Sequence, residues 1–482
     1  MNILMCASES NPFYKTGGLG DVIYSLSKEF AKLGHNVSIA VPYYTHIGKI
    51  DKIDAKPYCN VNVHMNWRNI NCEIYMQSVD GINYFFIKND YYFGRNYYYG
   101  SYDDGERFAF FSLACLELIA KFPFFVDIVH VHDWQPGMIP CLLKTTYKDK
   151  PQYKNIKSVI TIHNPEFKGF FEGSSLFDLY NLDYKYYSNG DVRFENKVST
   201  LKAGIHFADK ITTVSPTHAY ELTTPEGSKG LWVELGSRKN DFIGILNGMD
   251  YGEFNPEKDK LIYKNYNAET FKVGKKACKE KFCKDHGLNP KLPLFAVVSR
   301  LSNQKGLDLM FAMADFIAYE GGNFAVLGSG EKYAEDYFNN LITHNSKHVY
   351  VYIGYNDPIA HTLYSASDFF IMPSAFEPCG LGQMIAQRYG SLPIVRRTGG
   401  LKDTVVCYDL EVNNSDKANG FGFDSYNICE SLKCVTRCFN VYNSLKVDMN
   451  KMIVNAMKLD NTWSKSANKY LELYNQIVPA SK

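Results

Sequence analysis

The sequence predicts an α/β protein built as two doubly wound domains with parallel sheets. Three observations lead there. The 482 residues exceed one ordinary core, since a domain typically takes about 150 residues. Short apolar runs alternate with helical stretches in both halves, the pattern of parallel strands joined by crossover helices. A basic-Thr-Gly-Gly-Leu turn follows an apolar run in each half, once from Lys15 to Leu19 and again from Arg397 to Leu401.

The elements follow in order. Residues 3–7 are a short apolar run, as expected of a buried strand. Leu19, Val22, Ile23, Leu26, Phe30 and Leu33 recur at helical spacing, and Gly34 stops that helix. Residues 37–41 close a βαβ unit. Alternating segments at 61–65 and 74–77, with an Asp80-Gly81 hairpin signal, form a detour. The regular pattern resumes with a helix at 106–121 and strands at 127–132, 158–163, 211–214 and 242–246. Asn247-Gly248 then marks a hinge. Strands at 294–299, 324–327, 350–353, 369–372 and 394–396 build the second half. Helix 462–477 is compatible with either half. Two such sheets in one chain leave a cleft between them.

Composition narrows the function classes. Hydrophobic residues are 45% and charged residues 21%, ordinary for a folded chain. A net charge of +1 gives no global attraction for nucleic acid or an anionic membrane, so any anion needs a local cluster. Twelve cysteines include no Cys-x-x-Cys pair, and a chain of this size needs no disulfide staples; reduced, mostly buried thiols are expected. No run approaches the roughly 20 apolar residues of a membrane span, and the N-terminus lacks a basic leader, so a cytoplasmic location is expected.

Four turns carry chemistry. Lys15-Thr16-Gly17-Gly18-Leu19-Gly20-Asp21 opens the first helix, where glycines let a phosphate approach backbone N–H groups; glycines serving only a tight turn are the alternative. Ser299-Arg300-Leu301-Ser302-Asn303-Gln304-Lys305-Gly306 offers a forked guanidinium and a compact ammonium to phosphate oxygens. Its alternative is a solvated basic turn. Phe376-Glu377-Pro378-Cys379-Gly380-Leu381 joins a strand to an apolar helix. Its carboxylate and N–H groups suit sugar hydroxyls, unless Glu377 merely caps the helix. Cys379 has no local base to make it a nucleophile. His163-Asn164 and His132-Asp133-Trp134 end strands, where ligands sit in such sheets. No Asp-x-Asp motif or His/carboxylate spacing calls for a metal.

These motifs resemble the bacterial glycogen synthase and plant starch synthase family. The match also includes Thr213-Val214-Ser215-Pro216, Gly244-Ile245-Leu246-Asn247-Gly248, Arg388-Tyr389-Gly390, Pro393-Ile394-Val395-Arg396, Thr398-Gly399-Gly400-Leu401 and Trp463-Ser464-Lys465-Ser466-Ala467. It runs in order along nearly the whole chain. The resemblance implies a GT-B fold, two Rossmann-like domains facing across a deep cleft. The expected domains are an acceptor side at 1–247, a donor side at 248–458, and a last segment, 459–482, packing back on the first.

The resemblance further implies transfer of glucose from ADP-glucose to the nonreducing end of an α-1,4-glucan, with retention and without metal or other cofactor. Lys15 and Gly18 would contact the phosphates, while Arg300 and Lys305 would stabilise the leaving diphosphate. Glu377 with the Cys379-Gly380 backbone would hold the glucose. His163 would sit at the reacting carbon, Asp133 and Asn247 would border the site, and Tyr355 would pack on adenine. Asp21, Asn164, Leu381 and Thr398 complete the expected substrate contacts. With no candidate nucleophile on the opposite face, front-face attack is favoured, the leaving phosphate acting as base.

Some positions depart from the family pattern. Gln135 stands where His is common, Pro165-Glu166-Phe167-Lys168-Gly169 replaces Ala-Tyr-Gln-Gly, and Gly382 replaces a frequent Thr. The first two bear on acceptor contacts, and the third on a contact near the phosphates. Tyr91-Tyr92-Phe93 and Tyr97-Tyr98-Tyr99 could form part of a glucan path, though many of these rings are expected simply to pack. Two other classes remain open. A UDP- or GDP-sugar transferase often carries a second Glu eight residues after the first, but position 385 is Ile. A noncatalytic glucan binder has no use for Lys15, Arg300 and Lys305.

Overall fold

The computed structural model describes residues 1–478 and divides into two compact units. The first holds 1–214, 219–248 and the segment from Trp463 on; the second holds Ser215–His218 and Met249–Thr462.

The first unit carries a nine-stranded sheet: β1 (Asn2–Cys6), β2 (Asn36–Pro42), β3 (Lys56–Met65), β4 (Arg68–Val79), β5 (Ile82–Lys88), β6 (Ile128–His132), β7 (Lys157–Ile162), β8 (Lys210–Thr213) and β9 (Phe242–Gly244). Their order is β9-β8-β7-β6-β1-β2-β5-β4-β3. The neighbours from β9 to β5 are parallel, but β4 runs antiparallel to both β5 and β3. The detour expected around the Asp80-Gly81 hairpin signal thus extends a parallel sheet. The detour is a long ribbon extending one edge, because two-residue turns force antiparallel pairing. Asp80 and Gly81 have φ of 52° and 79°, the left-handed pair that a tight hairpin needs.

Helix α1 (Gly18–Lys32) buries Val22, Ile23, Leu26 and Phe30, the stripe its spacing announces. Helix α2 (Asp104–Ile119) is buried nearly all round. The C-terminal helix Trp463–Ile477 belongs to this unit. It packs on α1 with Trp463, Ala467, Tyr470, Leu473 and Tyr474 buried. The Phe30 and Tyr474 rings lie 5.6 Å apart, and the Tyr474 hydroxyl bonds His130 Nδ1 at 2.7 Å.

The second unit has six parallel strands: β10 (Leu294–Val298), β11 (Asn323–Gly328), β12 (Val349–Ile353), β13 (Phe369–Met372), β14 (Leu392–Arg396) and β15 (Phe421–Phe423). Their order, β12-β11-β10-β13-β14-β15, reverses between β10 and β13. Strand β15 was not legible, since Phe-Gly-Phe is too short to show a period. The exit from this unit falls at Thr462/Trp463 rather than at 458/459. Asn461 O accepts from Met249 N at 2.7 Å, and Leu459 O accepts from the Tyr251 hydroxyl at 2.8 Å. Ser215–His218 joins this unit because Asp403 accepts from Thr217 N and Oγ1, at 2.8 and 2.7 Å.

Tyr474→Phe is expected to cost about 1 kcal/mol, the lost hydrogen bond. Tyr474→Ala is expected to cost about 3–5 kcal/mol through the cavity it opens. The shift of the first unit's transition in denaturant unfolding measures both; equal costs would show that the hydroxyl, not the ring, matters.

Candidate active site

In each unit the expected residues follow carboxyl ends of parallel strands, most of them at or next to the two strands where the order reverses. For the first unit these strands are β1 and β6. Beyond β1, Glu9 is 1% exposed, and its Oε2 accepts from Thr16 N at 2.6 Å and Thr16 Oγ1 at 2.7 Å. Burial pushes this carboxyl above its ordinary range, against those two hydrogen bonds. Lys15 is exposed and pairs with Asp21 at 2.8 Å, and Asp21 also accepts from the Asn11 amide. Gly18 opens α1.

Beyond β6, Asp133 adopts φ 59° and accepts from the backbone N–H of His163 at 2.7 Å and of Asn164 at 3.3 Å. Burial outweighs those bonds and raises its carboxyl to about 7. A relay of rings backs His163: its Nε2 bonds His132 Nδ1 at 3.0 Å, and His132 stacks 4.1 Å from His130. Burial lowers His130 and His163 to about 3 and drives His132 down as well, so all three rings are neutral at pH 7. Asn247 lies after β9, buried, its Oδ1 without a hydrogen-bond partner among the described residues.

In the second unit the strands are β10 and β13. Lys305 Nζ lies 2.6 Å from Glu377 Oε2, and Ser374 Oγ donates to that same oxygen at 3.1 Å. Gln304 O accepts from Ala375 N at 2.9 Å, so the two turns are joined through backbone as well. Arg396, at the end of β14, donates through Nε to Ser374 O at 2.9 Å and through Nη2 to Ala375 O. Gln383 Nε2 donates to Cys379 O and Gly380 O, each at 3.1 Å, which fixes the turn ahead of its helix. Cys379 is buried and Leu381 half-buried in that turn. Arg300 is exposed, and its guanidinium makes no hydrogen bond or ion pair among the described residues. Tyr355 stands apart from this group, at the end of edge strand β12, 80% exposed with its hydroxyl on the Asp357 carboxylate.

The two Thr-Gly-Gly turns differ in kind. A Cβ on Gly399 would lie 1.9 Å from Glu377 O, and one on Gly400 would lie 2.1 Å from Cys379 O. Gly399 also has φ 45°. These glycines let two turns pack backbone to backbone, and Thr398 is buried beside them. Gly17 and Gly18 have no positive φ, and a Cβ on either meets nothing within 4 Å. Neither backbone strain nor packing within their unit explains them. At Gly382 a Cβ would stand 3.1 Å from Phe370 and 3.3 Å from Met372, so a Thr there would crowd the strand beneath.

Sequence reasoning gave no site role to Glu9, Ser374, Gln383 or Arg396. Glu9 was findable, as a carboxylate just past a buried strand. Gln383 and Arg396 act by holding backbone and Ser374 by bonding the Glu377 carboxylate, and neither role has a sequence signature. Tyr99, flagged only for stacking, bonds Ser8 at 2.8 Å and is largely a packing residue. Among the described residues no His/Cys/Asp/Glu trio is gathered in a metal-binding arrangement, and no helix is long and apolar enough to cross a membrane.

Two open α/β units with cation-lined turns at their reversal points define a glycosyltransferase of the GT-B fold. The model for the starch synthase catalytic domain matches residues 2–234, and that for glycosyl transferases group 1 matches 279–438. Glycogen synthases are similar along their whole length. Those of Clostridium botulinum (strain Alaska E43 / Type E3) and Clostridioides difficile (strain 630) are 42% and 41% identical, with 99% of this chain covered and 99% and 100% of theirs. The catalytic domain of starch synthase IV from Arabidopsis thaliana, solved bound to ADP and acarbose, superposes with a TM-score of 0.90 at 34% identity, covering 99% of each chain. Sucrose-phosphate synthase from Thermosynechococcus elongatus shares the fold, at a TM-score of 0.61 and 16% identity over the full length of both chains. The chain belongs to the bacterial glycogen synthase and starch synthase family.

The glycine contrast is testable. Gly399→Ala is expected to destabilise the second unit by about 1–3 kcal/mol, from a left-handed Ala and a backbone clash. Gly18→Ala is expected to leave the melting curve unchanged. Asp133 supplies a pH test. A carboxyl raised from 3.8 to about 7 binds its proton more tightly when folded, so stability falls as pH rises between those values. Asn at 133 keeps the left-handed backbone and carries no charge. Asp133→Asn is expected to melt higher than the parent above pH 7, the gap closing toward pH 4; a gap independent of pH would refute the buried charge.

Proposed function

We infer that the chain transfers glucose from ADP-glucose to the nonreducing end of an α-1,4-glucan primer such as glycogen, retaining the anomeric configuration. The observation that carries this reading is the Lys305–Glu377–Ser374 cluster at the reversal point of the second sheet, with the Arg300 guanidinium beside it in sequence and unpaired among the described residues. A simple glucan binder has no need to bury such a pair.

The chemistry follows from charge. Cleaving the glucosyl–phosphate bond leaves negative charge on the diphosphate and positive character on the sugar. Arg300 forks two phosphate oxygens and Lys305 supplies a point charge, both fixed before reaction begins. Glu377 holds Lys305 in place and faces the sugar hydroxyls with its own turn. Lys15 and the open Gly17-Gly18 backbone are assigned to the same diphosphate. A neutral His163, oriented by His132, suits a hydrogen bond to the sugar without repelling its positive character. Asp133, half-protonated near neutrality, fixes the His163-Asn164 backbone. Asn247 offers its unpaired Oδ1 to substrate, and Tyr355 its exposed ring to adenine. The acceptor hydroxyl attacks from the face the diphosphate leaves, giving its proton to a departing phosphate oxygen. No metal is required, and the reaction runs in the cytoplasm.

Glycogen primer with radiolabelled ADP-glucose or UDP-glucose, each with and without EDTA, is the decisive assay. Incorporation from ADP-glucose that EDTA does not reduce is expected. Failure with both donors rejects the reading, and loss with EDTA rejects metal independence. Arg300→Ala and Lys305→Ala are expected to lower turnover by about 100- to 1,000-fold, as loss of a preorganised charge contact does, with glycogen affinity little changed. Gly18→Ala should lower turnover without affecting folding.

A further inference from the structure

A second cluster of cations lies at the amino ends of the second sheet's central strands, opposite the donor turns. Asp368 immediately precedes β13, and its Oδ2 accepts from Leu294 N, at the start of β10, at 2.8 Å. The same oxygen takes Lys279 Nζ at 2.5 Å, and that ammonium also donates to the Tyr442 hydroxyl at 2.9 Å. These groups floor a cavity of about 590 Å³. That volume is in the range of small-molecule sites.

The cavity is strongly basic in a protein whose net charge is only +1. Six lysines line it against Glu280 and Asp368 alone. Asp368 is taken by Lys279, and Glu280 faces Lys276 at 3.8 Å. Lys272, Lys291 and Lys446 line the cavity with no ion pair among the described residues. Lys446 Nζ sits 3.5 Å from the centre of the Tyr442 ring, which holds the ammonium over the cavity's aromatic wall. Met449 and Ile453 give that wall an apolar continuation. Exposed ammonium groups without an ion pair, beside a partly apolar wall, suit a small anion.

We propose that this cavity binds a small phosphate-bearing anion, at a site separate from the sugar-donor turns and at the opposite ends of the same strands. Its phosphate would lie among Lys272, Lys446 and Lys291, with any ring against Tyr442 and Met449. Asp368 ties the site to β10 and β13, the strands whose far ends carry Arg300 and Glu377.

Calorimetric titration of the full chain with inorganic pyrophosphate and with AMP tests this. Because the donor turns also favour phosphates, the parent for the test is Arg300→Ala, which removes an exposed donor-side cation. Pyrophosphate or AMP binding is expected to survive in that variant. Adding Lys272→Gln and Lys446→Gln should weaken it about tenfold or more, the loss of two charge-assisted contacts. Lys281→Gln, an exposed lysine outside the cavity, should leave it unchanged. Tighter AMP than pyrophosphate supports a nucleoside phosphate, and the reverse order supports a bare or sugar-borne one. No binding in Arg300→Ala, or binding indifferent to the Lys272/Lys446 pair, overturns the site. Equal melting curves for all variants keep misfolding from being read as loss of the ligand.

Discussion

The ion pair between Lys305 and Glu377 is the constraint around which the second unit is arranged. Taking both charges out of water costs several kcal/mol, recovered only where geometry is good and every remaining polar atom is paired. Here Ser374 adds a second donor to Glu377, Gly400 N donates to Glu377 O at 3.1 Å, and Arg396 pins the Ser374 and Ala375 carbonyls. Three strand ends, β10, β13 and β14, are thereby fixed by one carboxylate and its neighbours. The close approach at Gly399 and Gly400 completes the junction, because any side chain there would wedge two turns apart.

The first unit holds its strand ends by a different means. Its strand ends are held by acceptors that collect backbone N–H groups: Glu9 takes Thr16, and Asp133 takes His163 and Asn164. The imidazoles behind them are neutral and reach through His130 to Tyr474 on the C-terminal helix. The position of His163 thus rests on a residue more than three hundred places along the chain. In the turn ahead of α1 the exposed Lys15 pairs with Asp21.

Much of this was legible from sequence. Strand positions followed from apolar runs, because buried parallel strands have no polar face to interrupt them. The turns after residues 6, 298 and 372 stood out because basic residues, glycines and a Glu-Pro pair seldom cluster without reason. Less legible was anything depending on a partner far along the chain. That Lys305 meets Glu377, that Asp133 collects the His163 and Asn164 N–H groups, and that Ser215–His218 sides with the second unit are facts of topology. The likeness between Lys15–Leu19 and Arg397–Leu401 was real in sequence and misleading in function. Identical glycines serve open space in one turn and crowded backbone in the other.

The helix Trp463–Ile477 closes the core of the unit that the chain begins. On a ribosome the amino-terminal sheet emerges first, with α1 and the ring of His130 lacking their cover. Domains ordinarily fold in the order they are made. This one must wait until the entire second unit has been synthesised before its last apolar surface is sealed. Vectorial synthesis therefore leaves a nearly complete nine-stranded sheet exposed along one helix-sized strip, and this strip is where a chaperone would bind and where truncated chains would aggregate.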